Sequence, residues 1–210
     1  MSTTELAIDL DRALDSAVAD VGEALHLRRR AVSEAALRRG LLERLETPAA
    51  PSELEPMEAA RRATALFILG RDREVGPYAT RSGNHRVLFL AGQSALYRDL
   101  PVEAAAILEK SVATEPRDER ARLECASVQA LLGRTDQARE TLAPLIDQTD
   151  RPQVQYVLGA IAESDGDYSG AREAYESALA QDPEHVDSLF RLAYQHDLSG
   201  DDDAAITLYE

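Results

Sequence analysis

Small and apolar residues recur through the second half of the chain at intervals of 33 or 34 residues. Three such columns are Ala104, Ala138, Ala171 and Ala205; Leu108, Leu142, Tyr175 and Tyr209; and Gly92, Ala126, Gly159 and Ala193. A fixed period of this length indicates one pair of helices that is copied and stacked. The register predicts units near 85–118, 119–151, 152–185 and 186–210. The last unit stops in the middle of its second helix, so we expect the chain to be cut from a longer protein.

The first part of the chain has helical periodicity without this repeat. Apolar residues three or four apart predict a helix over residues 4–27, and a second helical stretch is expected to bury Leu37, Leu41, Leu42 and Leu45. We assign residues 1–46 to an N-terminal helical region and the proline-rich residues 47–55 to a linker. Residues 56–84 predict a degenerate repeat, whose second helix is shortened and broken by Gly76-Pro77 and Gly83.

Glycines in the repeats predict two local features, which are left-handed turns and one close contact between helices. Gly133, Gly166 and Gly200 fall at the turn inside three units, where a left-handed residue is needed to end the first helix; Asp99 takes this place in the first unit. Gly159 is expected to face Ala171, which lets the two helices of that unit approach closely.

On these residues the chain resembles the tetratricopeptide repeat (TPR) family. Residues 152–185 are the closest copy, with signature residues at Leu158, Gly159, Ala162, Ala171, Tyr175, Ala178 and Pro183. The resemblance implies an all-α fold, a right-handed α-solenoid of helix-turn-helix repeats that follows the N-terminal helical region. It also implies that the first helix of every unit lines a concave groove that binds a peptide or a partner helix.

The groove positions that this resemblance implies are Arg86, Phe89, Gln93, Tyr97, Arg120, Leu123, Ser127, Tyr156, Glu163, Asp187, Phe190, Tyr194 and Asp197. One repeated place is large in every unit: Phe89, Leu123, Tyr156 and Phe190. Exposed rings are effective binding anchors because they lose little rotamer freedom. The alternative is that some of these rings pack against neighbouring helices or are covered by the N-terminal helices.

The net charge and the composition restrict the classes of partner that the chain is expected to bind. The net charge is −15, and residues 141–210 alone hold fifteen acidic residues against three arginines. Such a surface repels nucleic acid and anionic membranes, and no apolar stretch approaches the roughly 20 residues that span a bilayer. A single cysteine, Cys125, and the lack of a signal peptide predict a cytoplasmic protein without disulfides.

No pattern in the sequence indicates catalysis, a metal or another cofactor. The four histidines lack the spacing of a zinc site, and no nucleophile has a recognisable partner base. Residues 165–176 match the spacing of a calcium loop, but the repeat register instead places Ala171 and Tyr175 on a buried helix face.

We therefore predict a non-enzymatic protein-interaction module. Two alternatives remain open. The stretch from Asp182 to Glu210 also resembles bacterial TPR proteins that continue into a domain like the C-terminal domain of the RNA polymerase α-subunit. Self-association, through the N-terminal helix or the uncapped C-terminal end, is the other.

Overall fold

The structure is a computed structural model that describes residues 3–148 and 150–210, and side chains from residue 10 onward. Across these residues it is all-α and contains no strand, which confirms the predicted fold class. Its contacts divide into two compact units, Met1–Arg117 (unit 1) and Asp118–Glu210 (unit 2). The boundaries of the four repeats, which the sequence register places near residues 85, 119, 152 and 186, remain a proposal.

Unit 1 begins with three helices, followed by two antiparallel hairpins. The helices are α1 (Thr3–Ala19), α2 (Val21–Ser33), α3 (Ala35–Leu45), α4 (Pro56–Ile68), α5 (Asp72–Ser82), α6 (His85–Leu96) and α7 (Pro101–Thr114). Helices α1 and α2 pack against α4 and α6, the first helices of the two hairpins. A short 3-10 turn at Pro51–Glu53 lies within the predicted linker. Tyr78 fastens this linker to α5, because its hydroxyl donates a hydrogen bond to the Ala49 carbonyl oxygen at 2.8 Å.

Unit 2 consists of three hairpins. They are α8 (Glu119–Leu131) with α9 (Thr135–Leu142), α10 (Pro152–Ser164) with α11 (Tyr168–Gln181), and α12 (Val186–Ser199) with α13 (Asp202–Tyr209). A 3-10 turn at Ala143–Leu145 extends α9. The core between the first two hairpins includes Ala126, Leu142, Val154 and Ile161. Cys125 is buried.

Three expectations for unit 1 are corrected. The helix predicted over residues 4–27 is interrupted at Asp20, which is extended and caps α2 by accepting a hydrogen bond from the Gly22 amide at 2.7 Å. Helix α5 runs through Gly76-Pro77 without a break and ends at Gly83, which has φ 62°. Leu42 is exposed rather than buried. Apolar spacing alone misses the break at Asp20, because a cap interrupts a helix without changing the period of its apolar face.

The turns inside the hairpins confirm the prediction from glycine spacing. Gly133, Gly166 and Gly200 have φ values of 72°, 83° and 78°. Asp99 is left-handed as well, with φ 57°, and within the described residues it is the one non-glycine residue with positive φ. The four hairpins from α6 to α13 therefore share one turn geometry, which glycine adopts without strain.

Inside the third of these hairpins, Gly159 is packed closely against the second helix. A Cβ atom built on Gly159 would lie 2.5 Å from Cε1 of the Tyr175 ring, so this glycine approaches Tyr175 rather than Ala171 most closely. Tyr175 is fully buried and clusters with Ala171 and with Leu192 of the next hairpin. Its ring therefore fills the space both within and between hairpins.

Candidate binding face

The first helices of unit 2 surround an open cavity of about 540 Å³. Its lining includes five of the predicted groove residues: Arg120, Leu123, Ser127, Tyr156 and Asp187. The lining is completed by Glu119, Glu124, Arg151, Gln153, Val157 and His185. His185 and Arg151 occupy the caps of α12 and α10, places that a reading of groove positions within helices does not reach.

Tyr156 contributes an aromatic ring to the lining of the cavity. Its ring centroid lies 6.0 Å from that of Tyr175 and 5.6 Å from that of His185. Burial raises the pKa of the Tyr156 hydroxyl, which interacts with Arg191 and Ser127. The ring is therefore held in place from three helices and is half-buried rather than free to rotate into solvent.

The charged side chains around the cavity divide into paired and unpaired groups. Arg151 Nη1 donates to Glu119 Oε2 at 2.7 Å, which joins the cap of α10 to α8. Arg120 on α8 and Asp187 on α12 are exposed, and neither has an ion-pair partner among the described residues. The cavity thus presents an unpaired cation on one helix and an unpaired anion on another, which favours a ligand that carries both charges.

Four predicted groove residues of unit 2 lie outside this cavity. Glu163 turns inward: its Oε2 accepts from the Tyr175 hydroxyl at 2.7 Å, and its Oε1 lies 3.5 Å from Arg191 Nη1. Phe190, Tyr194 and Asp197 are exposed on α12, and the Phe190 ring lies 6.0 Å from that of Tyr209.

In unit 1 the four predicted groove residues differ in exposure. Phe89 is only 4% exposed, so the prediction that its ring lines an open groove is wrong. The N-terminal helices pack on α4 and α6, a long-range arrangement that the repeat register does not encode. Gln93 is half-buried on the same helix, and Arg86 is exposed.

Tyr97, the fourth predicted residue in unit 1, is 55% exposed and has an arginine of α2 stacked on its ring. The Arg28 guanidinium lies 4.6 Å from the ring centroids of both Tyr97 and Phe67. Its nitrogens also donate to the Asp72 carboxylate at 2.7 and 2.8 Å and to the Phe67 carbonyl oxygen at 2.6 Å. This guanidinium therefore combines ring stacking, a bidentate ion pair and a backbone hydrogen bond.

The described residues contain no cluster of three or more histidine, cysteine or acidic side chains that is arranged to hold a metal ion. None of the helices in the described ranges is both long and apolar enough to cross a membrane.

Several solved structures share this fold. The chain is similar to "MamA 41-end from Desulfovibrio magneticus RS-1", with 16% identity and a TM-score of 0.57 over 73% of this chain and 90% of that chain. Another crystal structure of MamA shares 19% identity, with a TM-score of 0.56 over 73% and 87% of the two chains. YrrB, described as a TPR protein with an unusual peptide-binding site, shares 17% identity, with a TM-score of 0.59 over 86% and 95%. At these identities the likeness shows the fold alone.

The sequence comparison identifies the family. None of the curated proteins compared with the chain matches it. The tetratricopeptide repeat profile matches residues 95–161 and 162–210, more than half of the chain. Together with the helical hairpins and their left-handed turns, this match shows that the chain belongs to the tetratricopeptide repeat family.

Proposed function

We propose that the chain is a non-enzymatic interaction module that binds a peptide segment of a partner protein on the first-helix face of unit 2. The observation that carries the proposal is the cavity of about 540 Å³, whose lining includes five of the predicted groove residues. Its size suits a few side chains of an extended or helical segment.

The lining supports the same function. Leu123 and the fixed ring of Tyr156 offer apolar contact, while Arg120 and Asp187 offer unpaired charges of opposite sign. Such a combination of an apolar centre and a charged rim is typical of binding sites for protein segments. YrrB, which shares the fold, is itself described as having a peptide-binding site. The polymerase-type domain and self-association stay predictions, since no observation favours either.

A random 12-residue peptide library displayed on phage tests this proposal, with the full chain as bait. Selected peptides are then measured by fluorescence anisotropy against Arg120→Glu and Asp187→Arg, two exposed substitutions that reverse the unpaired charges. Glu140→Arg is the control, because Glu140 is exposed on α9, a second helix.

We expect each charge reversal to weaken binding at least tenfold and the control to leave it unchanged. A library that gives no enrichment, or selected peptides that bind both charge reversals like the unmodified chain, would contradict the proposal.

A further inference from the structure

Helix α12 carries an exposed apolar stripe. Val186, Phe190, Tyr194 and Leu198 follow one another at intervals of four residues and are 73%, 57%, 40% and 65% exposed. At about 100° per residue, this spacing keeps all four on one side of the helix. Tyr209 of α13 extends the stripe through its ring contact with Phe190. Contiguous exposed apolar surface of this kind marks an interaction site.

The charges around the stripe identify the sign of its partner. Asp187 and Asp197 fall on the same side of α12, and Asp201, Asp202 and Asp203 follow directly after the helix. Residues 173–210 contain ten acidic residues and one arginine, and that arginine, Arg191, faces Glu163. A second copy of this surface would repel the first, whereas a basic partner is attracted.

Unit 1 shows what kind of element a first-helix face of this chain accepts. There α2 packs on α4 and α6. It buries one apolar face that consists of Val21, Ala24, Leu27 and Ala31. Beside that face, Arg28 stacks on Tyr97 and pairs with Asp72. An amphipathic helix with an arginine next to its apolar side therefore fits this face, where the arginine meets rings of the first helices and a carboxylate at the start of a second helix.

One repeat place differs in exposure from helix to helix, and Leu123 and Tyr156, which share it, are half-buried. Phe89 on α6 is 4% exposed in the unit whose first helices are packed by α1 and α2, and Phe190 on α12 is 57% exposed. Both residues hold the same place in the predicted register, and the more buried of the two lies on the helix on which α1 and α2 pack.

We propose that the α12 stripe binds an amphipathic helix of a partner protein, and that this helix carries arginines beside its apolar face. Its apolar residues pack on Phe190 and Leu198, and its guanidinium groups stack on the exposed rings and pair with Asp187 and Asp197. This inference rests on the proposed function and specifies the class of partner.

A designed 18-residue helical peptide tests the inference, with leucines three and four residues apart, arginines flanking them and one tryptophan. Because the chain has no tryptophan, the indole fluorescence reports on the peptide alone. Two comparison peptides replace every arginine by glutamate or place a proline at the centre. The matched variants of the full chain are Phe190→Ser/Leu198→Ser and, as control, Tyr168→Ser, since Tyr168 is equally exposed at the start of α11.

We expect the arginine peptide to bind at least tenfold more tightly than either comparison peptide, and more weakly as salt rises. The double variant should lose at least tenfold in affinity, whereas the control variant should bind normally. Circular dichroism verifies that both variants keep their helical content.

Equal binding of the glutamate or proline peptide, or full binding by the double variant, would overturn the inference. So would a dimer in analytical ultracentrifugation that the double variant abolishes, because the occupant would then be a second copy. If library peptides bind at the cavity while the arginine peptide does not bind, only this inference fails; if no peptide binds at all, the proposed function fails as well.

Discussion

Gly159 and the Tyr175 ring are in such close contact that a methyl group at residue 159 would overlap the ring edge, at 2.5 Å from Cε1. Tyr175 is fully buried and held by its hydrogen bond to Glu163, so the ring has little room to move. Overpacking of this kind costs about 1–3 kcal/mol, whereas alanine in a helix gains about 1 kcal/mol over glycine. We therefore expect Gly159→Ala to lower the free energy of unfolding by up to about 2 kcal/mol in urea denaturation.

The preceding hairpin offers a matched test of this contact. There the corresponding residues are Ala126 and Leu142, which pack in one cluster. The double variant Gly159→Ala/Tyr175→Leu reproduces that pair. Its loss of stability should be at least 1 kcal/mol smaller than the sum of the two single losses. Additive losses would show that the two residues do not interact through this contact.

Asp99 occupies a left-handed conformation that glycine adopts in the next three hairpins. Such a conformation costs a residue with a Cβ about 1 kcal/mol, less for aspartate than for most others. Asp99→Gly should therefore raise the free energy of unfolding by about 0.5–1 kcal/mol. The reverse change, Gly133→Asp, should lower it by a similar amount, because open space surrounds Gly133 and only its φ opposes a side chain. Thermal unfolding, followed by circular dichroism, measures the stability of both variants. If both substitutions raised the stability, or both lowered it, the explanation would be refuted.

Arg28 connects the N-terminal helices to the hairpins of unit 1. Its side chain and that of Asp72 are 22% and 13% exposed, and the same carboxylate accepts from the Ser94 hydroxyl at 2.9 Å. Removing one partner of a buried ion pair costs about 3–5 kcal/mol, and partial exposure of Arg28 reduces this to about 2–3 kcal/mol. We expect that loss for Arg28→Ala, together with faster hydrogen exchange in α2.

The control for this prediction is Arg30→Ala. Arg30 pairs with Glu34 on an exposed helix surface, and such pairs contribute little. Its removal should leave unfolding and hydrogen exchange unchanged. Comparable effects of the two substitutions would mean that Arg28 acts only as a surface charge.

The stability that Tyr175 contributes should be lost in alkali. Burial, followed by the hydrogen bond to the Glu163 carboxylate, raises the pKa of this hydroxyl well above its ordinary value near 10. Neutral Tyr175 therefore contributes stability that is complete below pH 10 and is lost as the pH rises above 10, where the unfolded chain releases the proton first.

Unfolding free energies between pH 8 and 11.5 test this dependence. The slope above pH 10 should be shallower for Tyr175→Phe than for the unmodified chain, by up to about 1.4 kcal/mol per pH unit. Tyr168→Phe is the control, since Tyr168 is exposed. Identical slopes for the unmodified chain and Tyr175→Phe would show that the hydroxyl ionises normally.

The features that the sequence predicts well are those fixed within a single hairpin. The left-handed places at Gly133 and Gly200 follow from the turn geometry that glycine alone adopts easily. Two other features involve elements outside the hairpin: Phe89 is buried on α6, on which the N-terminal helices pack, and Glu163 lies 3.5 Å from Arg191 of the next hairpin. A repeat register assigns each residue a place in its own hairpin and does not report what covers that place.

In each of three hairpins, a small residue on the first helix is matched to a larger residue on the second helix, and this limits how hairpins can be exchanged between repeat proteins. Gly92 meets Leu108, Ala126 clusters with Leu142, and Gly159 meets Tyr175, so the size of one side chain matches the room left by the other. A whole hairpin transplanted into a related array carries its own matched pair with it. A single helix moved between hairpins does not, and chimeras designed from this protein should therefore be joined between hairpins rather than within them.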